Sequence, residues 1–302
     1  MKNANSIKQK LQSIVGEENL RVDEPMKKHT TFKVGGNAQF LVMPKEIKQI
    51  ADLIGFVKDN GINYYVLGNG SNVLVRDEGI DGVVIKISSN FSDISVRKCE
   101  IIAKSGANLI NISRKALNNG LGGFEFASGI PGTLGGAVYM NAGAYGREIK
   151  DVLVYANVLD SYGNIVNLTN KELEFDYRKS ILSKKDYIVL DAKIKLYNDD
   201  KQKIQKYMEE LTQKRREKQP LKDPNAGSTF KRPEGNFAAK LIEDAGLKGH
   251  RIGGAKVSEK HAGFIINTGN ATATDILELM KYVEDVVKQK YGIILEPEIK
   301  II

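Results

Sequence analysis

The chain has 302 residues, of which 41% are hydrophobic and 27% are charged. This is enough apolar material for a packed core, and the length favours two or three lobes. No apolar run approaches the ~20 residues that span a bilayer, and the first residues lack the apolar block of a signal peptide. A single cysteine, Cys99, and three histidines exclude an internal disulfide and argue against a metal centre. We therefore expect a cytoplasmic protein that does not insert into membranes and holds no metal.

The formal net charge of +8 raises the question of nucleic-acid binding. Much of the positive charge lies in residues 201–219, where apolar residues recur at helical spacing: Ile204, Tyr207, Met208 and Leu211. The charges then occupy the solvated face of an amphipathic helix. An enzyme with anionic ligands explains the positive net charge equally well. Because the charges lie on one solvated helix face, we do not expect nucleic acid as a partner.

Hydrophobic periodicity, interrupted by glycine and proline, predicts a mixture of helices and strands. In chain order these are a helix within 43–61, strands at 64–67, 73–75, 83–87 and 101–103, a helix at 109–119, strands at 152–160, 165–168 and 187–196, the charged helix at 201–219, a helix at 237–245, strands at 251–257 and 263–267, a helix at 274–291 and a final strand at 293–301. Gly61 and Gly120 directly follow two of the helices, as is typical of helix ends. The last third has an α+β pattern, with a boundary near the charged helix.

A first glycine-rich segment follows the strand at 64–67. Its residues are Gly68, Asn69, Gly70, Ser71 and Asn72. It resembles a dinucleotide fingerprint, but Val73 occupies the third glycine position and strand-like residues follow, which argues against a Rossmann unit. Successive backbone N–H groups in such a turn can still form an anion-binding nest. The segment is either a phosphate-binding loop or an ordinary tight turn.

A second glycine-rich segment, residues 129–146, alternates glycine with small and apolar residues. The residues that we expect to contact a cofactor are Gly129, Ile130, Pro131, Thr133, Gly135, Gly136 and Ala137. Their small side chains let a flat ring or a pyrophosphate approach the backbone, and a short helix starting near Thr133 would direct N–H groups at phosphate. Close helix packing without a ligand is the alternative. Two such loops, neither Rossmann nor Walker A, favour a different dinucleotide-binding fold.

At these loops, and in further blocks along almost the whole chain, the sequence resembles the UDP-N-acetylenolpyruvoylglucosamine reductases. The blocks are HTTFKVGGNA (29–38), LGNGSNVLV (67–75), FASGIPGTLGGAVYMNAGAYG (126–146), DYRKS (176–180), NAGSTFKRP (225–233), KLIEDAGLKG (240–249), HAGFIIN (261–267) and LEPEIKII (295–302). The compact spacing and the ending at Ile302 are similar to the shorter (type II) form of the family. The tyrosine-bearing loop of the longer form is therefore not expected here.

The resemblance implies an α+β fold with two parts. A two-part FAD-binding module of the vanillyl-alcohol-oxidase (PCMH) type would cover residues 1–200, with subdomains divided near residue 90, and a substrate-binding α+β domain would cover 201–302. It also implies a monomeric enzyme of peptidoglycan precursor synthesis. NADPH would reduce non-covalently bound FAD, which would then reduce UDP-N-acetylglucosamine enolpyruvate to UDP-N-acetylmuramate.

The resemblance assigns three catalytic residues. Arg178 would grip the substrate carboxylate, Glu298 would be its acidic partner, and Ser228 would donate a proton to the α-carbon. Taken alone, each has an ordinary alternative: a surface ion pair for the arginine, a strand position facing solvent for the glutamate and a turn residue for the serine.

Further residues are implied as substrate contacts. They are Tyr177, Lys218, Arg232 and Lys240. Many relatives carry asparagine where this chain has Arg232. We expect the three histidines, His29, His250 and His261, to be structural.

Two other functions stay open on the sequence alone. One is an oxidoreductase of the same flavin fold that acts on another sugar or alcohol. The other is a basic nucleic-acid-binding protein that reuses the scaffold. No aromatic–basic recognition motif accompanies the lysines, which argues against the latter.

Overall fold

The computed structural model describes residues 4–302. Within this range the α-helices are α1 (Ala4–Val15), α2 (Ile47–Asp59), α3 (Leu109–Asn118), α4 (Leu134–Met140), α5 (Lys201–Lys218), α6 (Ala238–Asp244) and α7 (Ala273–Tyr291). The strands are β1 (Leu20–Pro25), β2 (Asn37–Val42), β3 (Tyr64–Leu67), β4 (Val73–Leu74), β5 (Ile80–Lys86), β6 (Ile94–Arg97), β7 (Glu100–Lys104), β8 (Leu121–Gly122), β9 (Gly143–Ala144), β10 (Arg147–Glu148), β11 (Leu153–Leu159), β12 (Ile165–Thr169), β13 (Ile188–Lys195), β14 (Tyr197–Asn198), β15 (Arg251–Ile252), β16 (Ala255–Val257), β17 (Ile265–Asn267) and β18 (Lys300–Ile301). None of these helices combines the length and the apolar character needed to cross a bilayer.

The chain forms two compact units that are not continuous in sequence. The first unit contains Met1–Val22, Phe40–Asn69 and Gly82–Gln213, and the second contains Asp23–Gln39, Gly70–Asp81 and Lys214–Ile302. The second unit therefore takes two short segments from the first third of the chain. The domain division at residue 200 stays a prediction.

The first unit contains an antiparallel sheet with the strand order β12-β11-β13-β7-β6. Helices α3 and α4 cover it, because α3 presents Leu109 and Ile112 and α4 presents Leu134 and Val138 to a fully buried apolar core. This packing fixes both ends of α4 relative to the sheet.

A second core of this unit surrounds α2. Ile50, Leu53, Ile54 and Val57 are buried on one face of this helix, at the spacing that predicted it. Gly61 follows with φ +60°, a left-handed conformation suited to a residue without a Cβ. The neighbouring sheet has the order β1-β2-β5-β3, and β3 runs parallel to β5.

The second unit has the three-stranded antiparallel sheet β15-β16-β17, against which α7 packs. Its core combines residues of α7, such as Ile276 and Val283, with Phe32, Val34 and Leu74 from the two early segments. β18 pairs in parallel with β4, which lies in one of those segments. The early segments are therefore an integral part of this core.

Two sequence-based predictions for this unit are wrong in detail. The single strand predicted at 251–257 is a hairpin, because Gly253, with φ +52°, and Gly254 turn the chain between β15 and β16. The long strand predicted at 293–301 is reduced to β18 and an isolated bridge between Phe230 and Pro297. The chain changes its pairing partner within this stretch, from residues 229–231 to β4, which explains why the strand is not continuous.

Candidate functional site

The two glycine-rich loops are joined through Asn69. Its side-chain amide donates to the Asn108 Oδ1 at 2.5 Å and to the Pro131 carbonyl at 2.8 Å. A Cβ on Gly68 would collide with the hydroxyl oxygen of Thr133. The first loop can therefore lie against the second only with glycine at position 68. The structure thus brings these two predicted cofactor-binding segments together.

Gly70 has a separate packing reason to be glycine. Its φ is +63°, and an added Cβ would collide with the His29 carbonyl oxygen. The Gly70 carbonyl accepts a hydrogen bond of 3.1 Å from the Thr31 N–H. The loop backbone is therefore fixed against residues 29–31 within the second unit.

The short helix predicted near Thr133 is present as α4. Thr133 is its N-cap, and the Thr133 hydroxyl accepts from the Gly136 N–H at 3.5 Å. The start of α4 is also tied to the preceding chain, because Leu134 and Gly135 donate their N–H groups to the carbonyls of Ala107 and Ser105, each at 2.8 Å. The first three N–H groups of the helix are thus bonded within the protein, so the expectation that this helix directs its N–H groups at phosphate is not met.

The predicted cofactor residues of the second glycine-rich loop fall into a buried group and a solvent-accessible group. Thr133 and Ala137 are 2% and 3% exposed, so they shape the loop from below. Pro131 and Gly136 are exposed, and Gly129 and Ile130 are half-buried, so these four residues are accessible to a ligand. An added Cβ on Gly136 would have no protein atom closer than 3.7 Å. An open, glycine-bordered backbone of this kind fits a dinucleotide cofactor such as FAD.

Arg178 lies in a tight turn, with Asp176 and Lys179 bridged on either side. Its φ is +54°, a conformation that costs a residue with a side chain roughly 1–2 kcal/mol. The guanidinium Nη2 donates to the Gly143 carbonyl at 3.3 Å, and Nη1 lies 3.9 Å from the Glu148 Oε1. The same guanidinium lies 4.9 Å from the centre of the Tyr177 ring. Strained backbone of this kind is concentrated at functional sites.

Ser228 and Glu298 belong to adjacent segments of the second unit. The Glu298 N–H donates to the Thr229 carbonyl, and the Lys231 N–H donates to the Glu296 carbonyl, both at 2.8 Å. Ser228 is exposed and follows Gly227, which has a φ of +79°. Glu298 is hydrogen-bonded to Thr229, the residue after Ser228. The structure therefore brings together two of the three predicted catalytic positions.

Asn72 connects this pair of segments to the first glycine loop. Its amide donates to the Glu298 carbonyl at 3.1 Å, and its own carbonyl accepts from the Lys300 N–H at 2.9 Å. The sequence motif predicts Asn72 only as a cofactor contact. Its role in fixing the backbone of Glu298 has no sequence signal, because it depends on a contact between residues 226 positions apart.

The predicted substrate-binding cations all lie on the surface of the second unit. Lys218 ends α5 and is exposed. Lys240 pairs with Asp244 one helical turn away, and the hydrogen bond to that carboxylate raises the Lys240 pKa. The Arg232 guanidinium lies 4.5 Å from the centre of the Phe237 ring. Their roles in binding substrate stay predictions.

The three histidines have structural surroundings. The His29 Nε2 lies 3.0 Å from the Glu24 Oε1, and the His250 ring stacks on Tyr282. Burial lowers the pKa of His261, whose Nδ1 accepts from the Gly263 N–H at 3.1 Å. Within residues 4–302, no three side chains of the types that ligate metals are gathered into a group.

Comparison with known proteins gives the class and then the family. An FAD binding domain matches residues 38–169, which include both glycine-rich loops, so the chain is an FAD-dependent oxidoreductase. The C-terminal domain of UDP-N-acetylenolpyruvoylglucosamine reductase matches residues 219–302. The UDP-N-acetylenolpyruvoylglucosamine reductase of Caldanaerobacter subterraneus subsp. tengcongensis is 56% identical over 97% of this chain and 97% of its own length. The chain belongs to the UDP-N-acetylenolpyruvoylglucosamine reductase family.

Other relatives agree with this assignment. The reductase of Clostridium botulinum (strain 657 / Type Ba4) is 54% identical over 96% of this chain and 95% of its own length. The crystal structure of the reductase from Thermus caldophilus matches with a TM-score of 0.81 and 36% identity, covering 93% of this chain and 99% of that one. The predicted family and the predicted fold class, an FAD-binding module followed by a C-terminal α+β domain, are confirmed.

Proposed function

We propose that this chain catalyses the NADPH-dependent reduction of UDP-N-acetylglucosamine enolpyruvate to UDP-N-acetylmuramate, a step of peptidoglycan precursor synthesis. The observation that carries the proposal is the 56% identity with a named reductase over 97% of the chain. The active protein would be a monomer. Its FAD-binding domain would cover residues 1–200 and its substrate-binding domain residues 201–302.

The cofactor would be held by Gly68–Asn72 and by the second glycine-rich loop, from Gly129 to Ala137. Bound FAD supplies the two-electron chemistry, because it accepts a hydride from NADPH and passes it to the substrate. The exposed positions of Pro131 and Gly136 suit a contact with this group. The protein contributes binding, orientation and the handling of charge and protons.

Arg178 would bind the carboxylate of the enolpyruvyl group. When a hydride adds to the β-carbon, negative charge develops on this carboxylate as an enolate, and a fixed guanidinium stabilises it. The side chain of Arg178 is only 18% exposed, so its charge is less screened than that of a surface arginine. Tyr177, whose ring lies beside the guanidinium, would support the same end of the substrate.

Ser228 would donate the proton that completes the reaction at the α-carbon. Serine is a weak acid, so this donation needs a polarised surrounding and a route for the proton to return. Glu298, whose backbone is held beside Thr229, would assist in its protonated form, since a free carboxylate would repel the enolate. Lys218, Arg232 and Lys240 would attract the diphosphate of the substrate or the phosphates of NADPH.

Anaerobic stopped-flow spectroscopy of the purified holoenzyme tests this function. We expect NADPH to bleach the flavin absorbance and the enolpyruvyl nucleotide to restore it. A flavin that stays bleached after the nucleotide is added would overturn the proposal. In a separate aerobic assay, rapid oxygen consumption with another sugar or alcohol as the electron donor would favour another activity of the same fold.

Substitution Ser228→Ala tests the proton donor. We expect flavin reduction by NADPH at the wild-type rate and reoxidation by the substrate slowed by on the order of 10²–10³, the usual cost of one transition-state contact. Ser161→Ala, at an exposed turn of the first unit, is the matched control and should change neither step. Equal slowing of both half-reactions in Ser228→Ala would contradict the assigned role.

A further inference from the structure

Asn141 is a fully buried polar residue that the mechanism above does not use. Its side chain is 0% exposed and lies at the C-terminal cap of α4, with φ +44° and ψ +55°. Its amide nitrogen donates to the Glu148 Oε2 at 3.0 Å and to the Asp176 carbonyl at 3.1 Å, and its oxygen accepts from the Lys150 N–H at 3.1 Å. Buried amides of this kind are satisfied because an unpaired one is costly.

These hydrogen bonds reach Arg178 from two directions. The Asp176 carbonyl belongs to the turn that carries Arg178, so Asn141 fixes the backbone of the turn. Glu148 is the carboxylate beside the Arg178 guanidinium, so Asn141 also fixes the group that faces the charged end. The Asn141 side chain therefore holds both the backbone turn that carries Arg178 and the carboxylate that faces its guanidinium.

The hairpin of β9 and β10 completes the support. Gly143 and Glu148 are paired across this hairpin, and both contact the guanidinium, one by its carbonyl and the other by its carboxylate. A Cβ on Gly143 would lie 2.7 Å from the Glu148 Cγ, so this approach needs glycine. The Lys150 ammonium lies 2.9 Å from the Glu148 Oε2, and the hydrogen bond to Glu148 raises the pKa of Lys150.

The 3.9 Å separation between the Arg178 Nη1 and Glu148 is longer than a hydrogen bond. The carboxylate therefore orients the guanidinium through its charge and not through a hydrogen bond. Asn141 and Lys150 hold the other carboxylate oxygen of Glu148, which keeps the anion in place when a substrate arrives.

Helix α4 links this support to the cofactor loop. The helix is seven residues long, or about 10 Å at 1.5 Å per residue, with Thr133 at its start and Asn141 at its end. The Ser180 hydroxyl also donates to the Tyr139 carbonyl at 2.8 Å, which ties the end of the Arg178 turn to the same helix. The position of the arginine relative to the second glycine-rich loop is thus set by one rigid element.

We propose that Asn141 and Glu148 are positioning residues that hold Arg178 in the orientation that receives the substrate carboxylate. The inference rests on the proposed function, since it assumes that Arg178 binds this carboxylate. Neither residue needs to touch the substrate. Their removal should therefore affect ligands that carry the carboxylate and spare those that lack it.

The test compares the binding of two nucleotides to the oxidised holoenzyme by isothermal titration calorimetry. UDP-N-acetylmuramate carries the carboxylate, and UDP-N-acetylglucosamine has the same nucleotide and sugar without it. In Asn141→Gly, which keeps the left-handed backbone and removes the side chain, we expect the first Kd to rise about tenfold, or ~1.4 kcal/mol, and the second to stay within about twofold. Flavin reduction by NADPH should be unchanged, and reoxidation by the enolpyruvyl substrate should slow at least about tenfold.

Three further variants separate positioning from simple damage. Glu148→Gln keeps an oxygen that can accept from Asn141 but removes the charge that faces the guanidinium, so the Kd of UDP-N-acetylmuramate should rise about tenfold and that of UDP-N-acetylglucosamine should stay within about twofold. Lys98→Gly, at an exposed left-handed position with φ +54°, is the matched control and should change neither constant. In an Arg178→Ala background, Asn141→Gly should have no further effect on UDP-N-acetylmuramate, because the residue that it positions is gone.

The outcomes distinguish this inference from the proposed function. If Arg178→Ala does not selectively weaken the binding of UDP-N-acetylmuramate, the role of Arg178 in the proposed function is wrong. The alternative outcome is that Arg178→Ala weakens the binding of UDP-N-acetylmuramate selectively while Asn141→Gly weakens the binding of both nucleotides equally, or of neither. In that case the proposed function stands and the positioning role of Asn141 is overturned.

Discussion

Among single residues, Gly70 is the position in the first glycine-rich loop that leaves the least room for an added side chain. In Gly70→Ala, the alanine would be strained by the φ of +63°, and its Cβ would collide with the His29 carbonyl. We expect a loss of several kcal/mol, because about 1–2 kcal/mol arises from the left-handed conformation alone and the displaced backbone adds to it. Thermal unfolding and the FAD content of the purified protein measure the effect, and both should fall.

Gly61→Ala supplies the matched control for that experiment. Gly61 has a φ of +60°, but an added Cβ there would have no protein atom within 4 Å. This variant should lose only the conformational part, about 1 kcal/mol, and keep its FAD. Equal destabilisation by the two substitutions would show that the contact with His29 contributes nothing.

Among the elements, α7 begins with an unusual number of caps. The Thr272 hydroxyl accepts from the Asp275 N–H in a capping box, and the Asp77 carboxylate accepts from the Ala273 and Thr274 N–H groups at 2.8 Å each. Burial of Asp77 opposes its ionisation, but the hydrogen bonds from these two residues outweigh it, so its pKa lies below the usual value. A residue 196 positions away in sequence thus stabilises the start of this helix.

Asp77→Asn should therefore destabilise the protein in a pH-dependent way. The folded-state pKa is lowered, so the stabilisation is present above the unfolded pKa of about 3.9 and is lost as the pH falls through the folded value. We expect a loss of about 1 kcal/mol at pH 7 that shrinks toward acidic pH, measured by urea unfolding across this range. Glu78→Gln, at the exposed neighbouring position, is the control. A loss that stays constant as the pH falls would exclude the charged cap.

The elements also show what the sequence can and cannot predict. Helices α2, α3, α5 and α7 follow from apolar spacing, because a one-sided core imposes that period on the chain. The resemblance supplies Arg178, Ser228 and Glu298. Contacts between distant residues leave no local pattern, which is why Asn141 gives no sign of its bond to Asp176 and Asp77 gives none of its cap on α7.

At the scale of the whole molecule, the second unit depends on chain that precedes it by more than a hundred residues. Phe32 is fully buried in its core, and the Asn267 amide donates to the Phe32 carbonyl at 3.0 Å. Leu74 is buried in the same core, and β4, to which it belongs, pairs with β18. A fragment of residues 201–302 therefore lacks the Phe32 side chain in its core and the strand partner of β18.

We expect the fragment 201–302 not to fold alone. The loss of a buried phenylalanine costs about 3–5 kcal/mol by itself, which is close to the whole stability of a domain of this size. Circular dichroism during heating should show no cooperative transition, and amide resonances should be poorly dispersed. Co-expression with residues 1–200 restores the missing segments and should yield a folded, flavin-containing complex. A cooperative transition of the isolated fragment would mean that the family's C-terminal domain folds without them, and that the segments at 23–39 and 70–81 only cover a core that is already complete.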